Sequence, residues 1–142
     1  MRRFALLFVL VAAVAVRAEE KKPESADGVW VVTSIEFAGT KISAEDLKKT
    51  PTTVTLKGDK WTVKMGDKVS SGTSKVDLTK KPAEIDTTET EGDNKGQSMK
   101  GIMEIKGDMM KVCFDGSGKA RPKEFSTKDK PTYMLIEYKR MK

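Results

Sequence analysis

The sequence contains no histidine. That absence removes Ser-His-Asp and Cys-His nucleophile pairs and every His-ligated metal site. There is a single cysteine, Cys113, so no internal disulfide can form. The expected role of Cys113 is a small apolar filler, with an intermolecular bridge or a reactive thiol as the alternatives. Aromatics make up only 6% of the chain. No basic stripe is interleaved with them, which argues against nucleic acid as a partner. Long apolar runs are scarce too. The run from Phe4 to Val16 has 13 residues, too few to span a bilayer.

That run has the form of a secretory signal. Arg2 and Arg3 precede it, and Val16-Arg17-Ala18 offers a cleavage point after Ala18. Ala13-Val14-Ala15 is the rival site, and an uncleaved anchor is the alternative to cleavage. No cysteine lies near the cleavage point to accept a lipid. The expectation is an exported protein, periplasmic or extracellular, with no stable membrane span once residues 1–18 are removed. Their loss takes Lys plus Arg from 27 to 24 against 21 acids, and the net charge from +6 to +3. A charge of that size favours solubility and is too weak to argue for a polyanion. The 142 residues suffice for one domain. Residues 19–27 are charged and aperiodic and read as a flexible lead-in. Residues 28–142 form the domain.

What is present is β-forming sequence. Gly28 to Phe37 is rich in β-branched and aromatic residues and predicts the first strand. Ser43-Ala44-Glu45-Asp46 predicts a helix N-terminus, with the Ser43 hydroxyl accepting from the Asp46 amide. The helix runs to Lys49, stops before Pro51, and is expected to lie across one barrel mouth. Thr52 to Lys57 and Lys60 to Met65 alternate, with Val54, Leu56, Trp61, Val63 and Met65 on one face. Gly58-Asp59, Gly66-Asp67 and Gly107-Asp108 predict tight hairpins with glycine first, of type II′. Further strands are expected at 69–77, 83–88, 98–106, 109–114, briefly at 124–127, and 132–141, with a polar loop at 89–97. Short strands joined by hairpins, without βαβ spacing, predict an all-β antiparallel up-and-down barrel of about eight strands with one short helix.

Several stretches match one family. They are Gly28-x-Trp30, Ile42-Ser43-Ala44-Glu45-Asp46-Leu47, Lys80-Lys81-Pro82-x-x-Ile85-Asp86 and Gly101-Ile102-x-Glu104-x-x-Gly107-Asp108. The most specific is Val112-Cys113-Phe114 followed by Gly118-Lys119-x-Arg121-Pro122-x-Glu124-Phe125. Together they resemble the lipocalin-like domain of unknown function abundant in planctomycete bacteria, over nearly all of residues 28–142. The chain departs from that pattern at Met103, where an aromatic is common, and at Met109-Met110. The resemblance implies a lipocalin-like barrel and frequent export. It implies no established activity and no catalytic residues. In such barrels the first-strand tryptophan plugs one end and a basic residue of the last strand packs across it. Barrel closure is therefore assigned to Gly28, Trp30 and Arg140. Arg140 is preferred to Lys139 because it shares a face with Met134, Ile136 and Tyr138.

Candidate chemistry is thin. Gly116-Ser117-Gly118-Lys119 looks like the end of a phosphate loop, but Cys113 stands where its first glycine belongs and Ala120 replaces the hydroxyl residue. Lys119, Arg121 and Lys123 read as surface charges, with an anion-binding loop as the alternative. Asp86, Glu89, Glu91 and Asp93 read as a solvated loop. They lack EF-hand spacing, and Lys95 opposes a cation. No metal, no cofactor and no enzymatic activity are expected. The expected function is non-covalent binding of a small apolar or amphipathic ligand inside the barrel. Its lining is Val54, Leu56, Trp61, Val63, Met110, Val112 and Phe114, the apolar face of adjoining hairpins. The alternative is a structural or inhibitor-like interaction domain of the cell envelope, whose protein partner the sequence does not indicate.

Overall fold

The computed structural model describes residues 25–142. The expected signal segment, 1–18, and residues 19–24 of the lead-in lie outside the described residues.

The chain runs through β1 (Gly28–Phe37), a two-residue β2 (Thr40–Lys41), helix α1 (Ala44–Lys49), β3 (Thr52–Lys57), β4 (Lys60–Met65) and β5 (Lys68–Asp77). It continues through β6 (Ala83–Glu91), β7 (Ser98–Lys106), β8 (Met109–Asp115) and β9 (Tyr133–Arg140). From β3 to β9 each strand pairs antiparallel with the next. β1 closes the ring by pairing β3 on one side and β9 on the other. The result is the all-β, up-and-down, eight-stranded barrel that the hairpin pattern predicts, with β2 as a short extension folded back on β1.

The turns follow local chemistry. Lys57 faces Lys60, Met65 faces Lys68 and Lys106 faces Met109, so three hairpins have two-residue loops. In each the glycine takes φ near +60° (Gly58 59°, Gly66 59°, Gly107 57°), as a type II′ turn requires of its first central residue. Ser43 Oγ accepts from Asp46 N at 3.2 Å, the predicted cap of α1. α1 has no buried residue and packs only along β1. Leu47 is half-buried and the other residues of α1 are exposed.

Strand alternation puts apolar side chains inside and Lys57, Lys60, Thr55 and Lys64 outside. This polarity is the reverse of a membrane-spanning barrel. No helix among the described residues is long and apolar enough to cross a membrane. β1 contains a bulge between Val32 and Ser34. The extra residue changes parity, so Trp30 and Val32 turn inward before it and Ile35 after it.

Two segments differ from expectation. β6 continues to Glu91 rather than ending at Thr88. Thr87, Thr88 and Thr90 are β-branched and carry the pairing further than the acids around them suggest. The brief strand expected at 124–127 does not form. A closed barrel has no free edge for another strand, so residues 116–132 pack over the outside as a loop instead. That loop covers Ile102 and Cys113, which face outward yet are buried, and itself buries Pro122 and Thr127. Cys113 is thus a filler. Burial pushes its thiol pKa up, which keeps it protonated and unreactive.

Three side chains fasten the loop. Arg121 Nη2 bonds Asp86 Oδ1 at 2.6 Å, and its Nη1 donates to the Gly101 carbonyl at 2.8 Å. Thr127 Oγ1 donates to Glu36 Oε1 at 2.6 Å and accepts from Gly39 N at 3.0 Å. Buried Asp115 Oδ1 accepts from Ser117 N (2.9 Å), Ser117 Oγ (2.7 Å) and Thr132 Oγ1 (2.8 Å), and its Oδ2 accepts from Ala120 N (3.1 Å). Burial opposes the charge on Asp115, but these four bonds outweigh it and hold its pKa below the usual carboxylate value.

The Trp30 end is closed by a clasp. Trp30 is 0% exposed, and the Arg140 guanidinium carbon lies 4.3 Å from its ring centroid. Arg140 also donates to the carbonyls of Asp27 and Ser25. Trp30 Nε1 donates to the Ala26 carbonyl at 2.9 Å, and Asp27 Oδ1 accepts from Gly58 N at 3.0 Å. Residues 25–27, expected as the last part of a flexible lead-in, are therefore tied across the barrel end. Gly28 sits at φ +138°, where a Cβ would also come within 3.0 Å of Arg140 Nη1. Gly28, Trp30 and Arg140 thus come together as the sequence suggests.

Two outcomes follow from these contacts. Replacing Arg140 by Ala removes the cation–π contact and both clasp bonds. It should lower unfolding stability by about 2 kcal/mol in chemical denaturation, whereas Lys139→Ala, on the exposed outer face, should change it by less than about 0.5 kcal/mol. Equal effects would refute the clasp. For Asp115 the folded pKa lies below the unfolded value of about 3.9. Its contribution is then complete above that pH and is lost as pH falls through it towards the lower folded pKa. Asp115→Asn should be less stable by about 1–3 kcal/mol at neutral pH and should lose less on acidification below about pH 4. Parallel acid profiles for the two proteins would exclude this role.

Candidate functional site

A cavity of about 220 Å³ lies inside the barrel. All seven residues named from alternation line it: Val54 and Leu56 on β3, Trp61 and Val63 on β4, and Met110, Val112 and Phe114 on β8. Ile85, Met99, Met134, Ile136 and Tyr138 complete the apolar wall, and Ser70, Ser74, Thr87 and Glu89 supply its polar groups. Trp30 and Met103, buried at the clasped end, take no part in the lining. A second hollow, lined by Met65, Lys68, Val69, Asp93 and Asn94, shares Val63, Ser70 and Glu89 with the cavity. The hollow thus adjoins the cavity at the ends of β4, β5 and β6, opposite the clasp. Two apolar side chains at that end are largely exposed, Met65 at 44% and Phe37 at 51%.

Two glycines keep the space open. Gly72 pairs with Trp61 across β4 and β5, and Gly101 pairs with Phe114 across β7 and β8. A Cβ on Gly72 would stand 2.6 Å from the Trp61 ring and press on the Thr88 carbonyl. On Gly101 it would stand 2.7 Å from both the Phe114 ring and the Cys113 carbonyl oxygen. Each ring lies flat against the opposing backbone because the side chain there is missing. With a larger residue opposite, the ring would have to swing into the cavity. Trp61 is fixed further by its Nε1, which donates to the Thr73 carbonyl at 3.0 Å.

Tyr138 is the deepest polar group. It is 6% exposed, and burial alone raises its pKa, with no hydrogen bond opposing the shift. Among the described residues no fully buried side-chain nitrogen or oxygen lacks a partner. A hydroxyl without a bond must then border open space, and the space beside Tyr138 is the cavity. It is a neutral donor at all physiological pH values.

The other candidates disperse. Arg121 is taken up by Asp86 and by Glu84 at 3.7 Å, so the anion-binding alternative loses its arginine, while Lys119 and Lys123 remain exposed. Asp93 pairs with Lys68 at 3.3 Å, and Glu91 accepts from Ser71 Oγ at 3.4 Å. No three such side chains converge on a metal-sized site among the described residues. Sequence reasoning missed Glu89, placed in a loop, and did not single out Ser70, Ser74 and Thr87. It also left Tyr138 out, although the parity that turns Arg140 inward turns Tyr138 inward too.

Compared with protein-family models, curated proteins and solved structures, the chain matches none.

Replacing Gly101 by Ala tests the cavity's construction. The expected outcome is a loss of about 1–3 kcal/mol, the range for overpacking a filled site, together with a smaller cavity in a crystal structure. An unchanged Phe114 ring position would contradict it.

Proposed function

We propose that the barrel binds a small apolar or amphipathic molecule non-covalently, held between the Trp30 plug and the opposite mouth. The observation that supports this most is an apolar cavity with one unpartnered donor on its wall. A dry apolar cavity of about 150 Å³ already accepts a benzene-sized molecule. The present space of about 220 Å³ suits a bicyclic ring system or a medium-length chain rather than a long lipid. Apolar walls with a few placed polar groups are the usual composition of such sites. The Tyr138 hydroxyl selects for a hydrogen-bond acceptor, such as a carbonyl or ether oxygen, at the inner end of the ligand. It does not suit a carboxylate there, because one neutral donor cannot offset the cost of desolvating a full charge. Met99 and Met134 adapt the wall to ligand shape. The resemblance to lipocalin-like domains is consistent with the same reading, as is an exported location.

Trp61 reports occupancy, since it lines the cavity while Trp30 is sealed away. Medium-chain fatty acids, alkyl ketones, short quinones and hydrophobic dyes should divide clearly in a screen. Binders should shift tryptophan emission and raise Tm by mass action, carbonyl compounds leading. Tyr138→Phe should weaken carbonyl binders about fivefold to tenfold, the equivalent of one hydrogen bond, and leave pure hydrocarbons unaffected. If no compound moves either signal, the barrel is not a carrier.

A further inference from the structure

Within the proposed cavity, on which this inference rests, the mouth has a sign. Among the described residues, Glu89 is the one ionisable side chain besides Tyr138 on the cavity wall. It occupies the inward position of β6 after Ile85 and Thr87 and borders both the cavity and the hollow outside it. Its carboxylate is positioned by the turn that follows. Oε1 accepts from Asn94 N at 3.4 Å, and Gly92 lacks the Cβ that would collide with that oxygen. Among the described residues no cation lies within ion-pair distance of it. The basic group in the adjoining hollow, Lys68, is held by Asp93 at 3.3 Å.

We infer that the barrel's ligand carries a cationic head, an alkylammonium or arylammonium group, which sits at Glu89 while the apolar body fills the cavity. The apolar wall and the carboxylate are the two halves of such a molecule's complement. An ammonium meeting a carboxylate at the rim keeps part of its hydration, so it gains attraction without full desolvation. An anionic head at the same place would meet repulsion from the Glu89 carboxylate. The length fits as well. From Met134 at the mouth to Tyr138 is four residues of β9, roughly 13 Å along the strand, and less along the tilted barrel axis. An eight-carbon chain matches that depth.

The test compares octylammonium, 1-octanol and octanoate at neutral pH, below their micelle concentrations, by calorimetry on the purified protein and on Glu89→Gln. Octylammonium should bind at least tenfold tighter than octanoate, with 1-octanol between them. Glu89→Gln should cut octylammonium affinity at least tenfold and leave 1-octanol unchanged, and added salt should weaken only the ammonium. Octanoate binding as tightly as octylammonium, or ammonium affinity insensitive to Glu89→Gln, overturns the cationic head while leaving the cavity reading intact. If none of the three binds and the screen above is also silent, both fall together. Should Glu89→Gln fail to fold, the ratio of octylammonium to octanoate on the unmodified protein decides alone.

Discussion

Closing a sheet into a ring requires one strand to serve two neighbours that come from opposite ends of the chain. Here β1 does so, and Trp30 stands where its two duties overlap, level with Val54 on β3 and with Arg140 on β9. A flat continuation of β1 would not turn far enough to meet both. The bulge between Val32 and Ser34 supplies the extra twist. It also hands the strand over, since residues 28–31 face β3 while residues as far as Phe37 face β9. The indole then fills the narrow end, and Arg140 locks both the ring and the incoming chain with one guanidinium.

That arrangement makes the two ends of the barrel unlike. The clasped end has a tryptophan without exposure, a cation over its face and a crossing backbone. The other has half-exposed Phe37 and Met65, a short helix without a buried residue, and a carboxylate. The loop over residues 116–132 does not correct the asymmetry. Asp115, Arg121 and Thr127 hold it flat against the outer wall, where it shields Ile102 and Cys113. Among the described residues the polar groups of the interior run from Glu89 and Ser70, which also border the outer hollow, to Ser74, Thr87 and Tyr138 within.

Much of the barrel was legible because its rules are local. A period of two residues identifies an inward face wherever it is strict, as in Val54-Thr55-Leu56 and Trp61-Thr62-Val63. Glycine before aspartate identifies a two-residue turn, and serine three residues before aspartate identifies a helix start. Arg140 was separable from Lys139 by parity alone. What escaped depends on pairing partners that lie far off in sequence. The β1 bulge exists only relative to β9. Glu89 looks like loop chemistry until Gly72 is found opposite it. Ser70, Ser74 and Thr87 look solvated because a cavity wall and a surface accept the same side chains. Asp115 followed by glycine and serine is a turn signal, but its fourth bond, to Thr132, joins the two ends of a loop whose length hides the connection.

The space inside the barrel carries a free-energy cost. Were it closed and dry, a space of about 220 Å³ would cost on the order of 5 kcal/mol at about 24 cal/mol per Å³. That is comparable with the whole stability of a small domain. Water entering past Glu89 offsets some of this, but the deep wall around Val112, Ile136 and Tyr138 offers it a single partner, the tyrosine hydroxyl. Filling the space would be chemically simple. Larger residues than Val54 or Val63 would take up volume, whereas a Cβ on Gly101 or Gly72 would also press on a backbone carbonyl, that of Cys113 or of Thr88. Instead the two glycines hold Phe114 and Trp61 back against the sheet, where each ring forms wall rather than filling. Gly72 and Gly101 thus set the size of the interior, because they decide how far each opposing ring stands from the barrel axis.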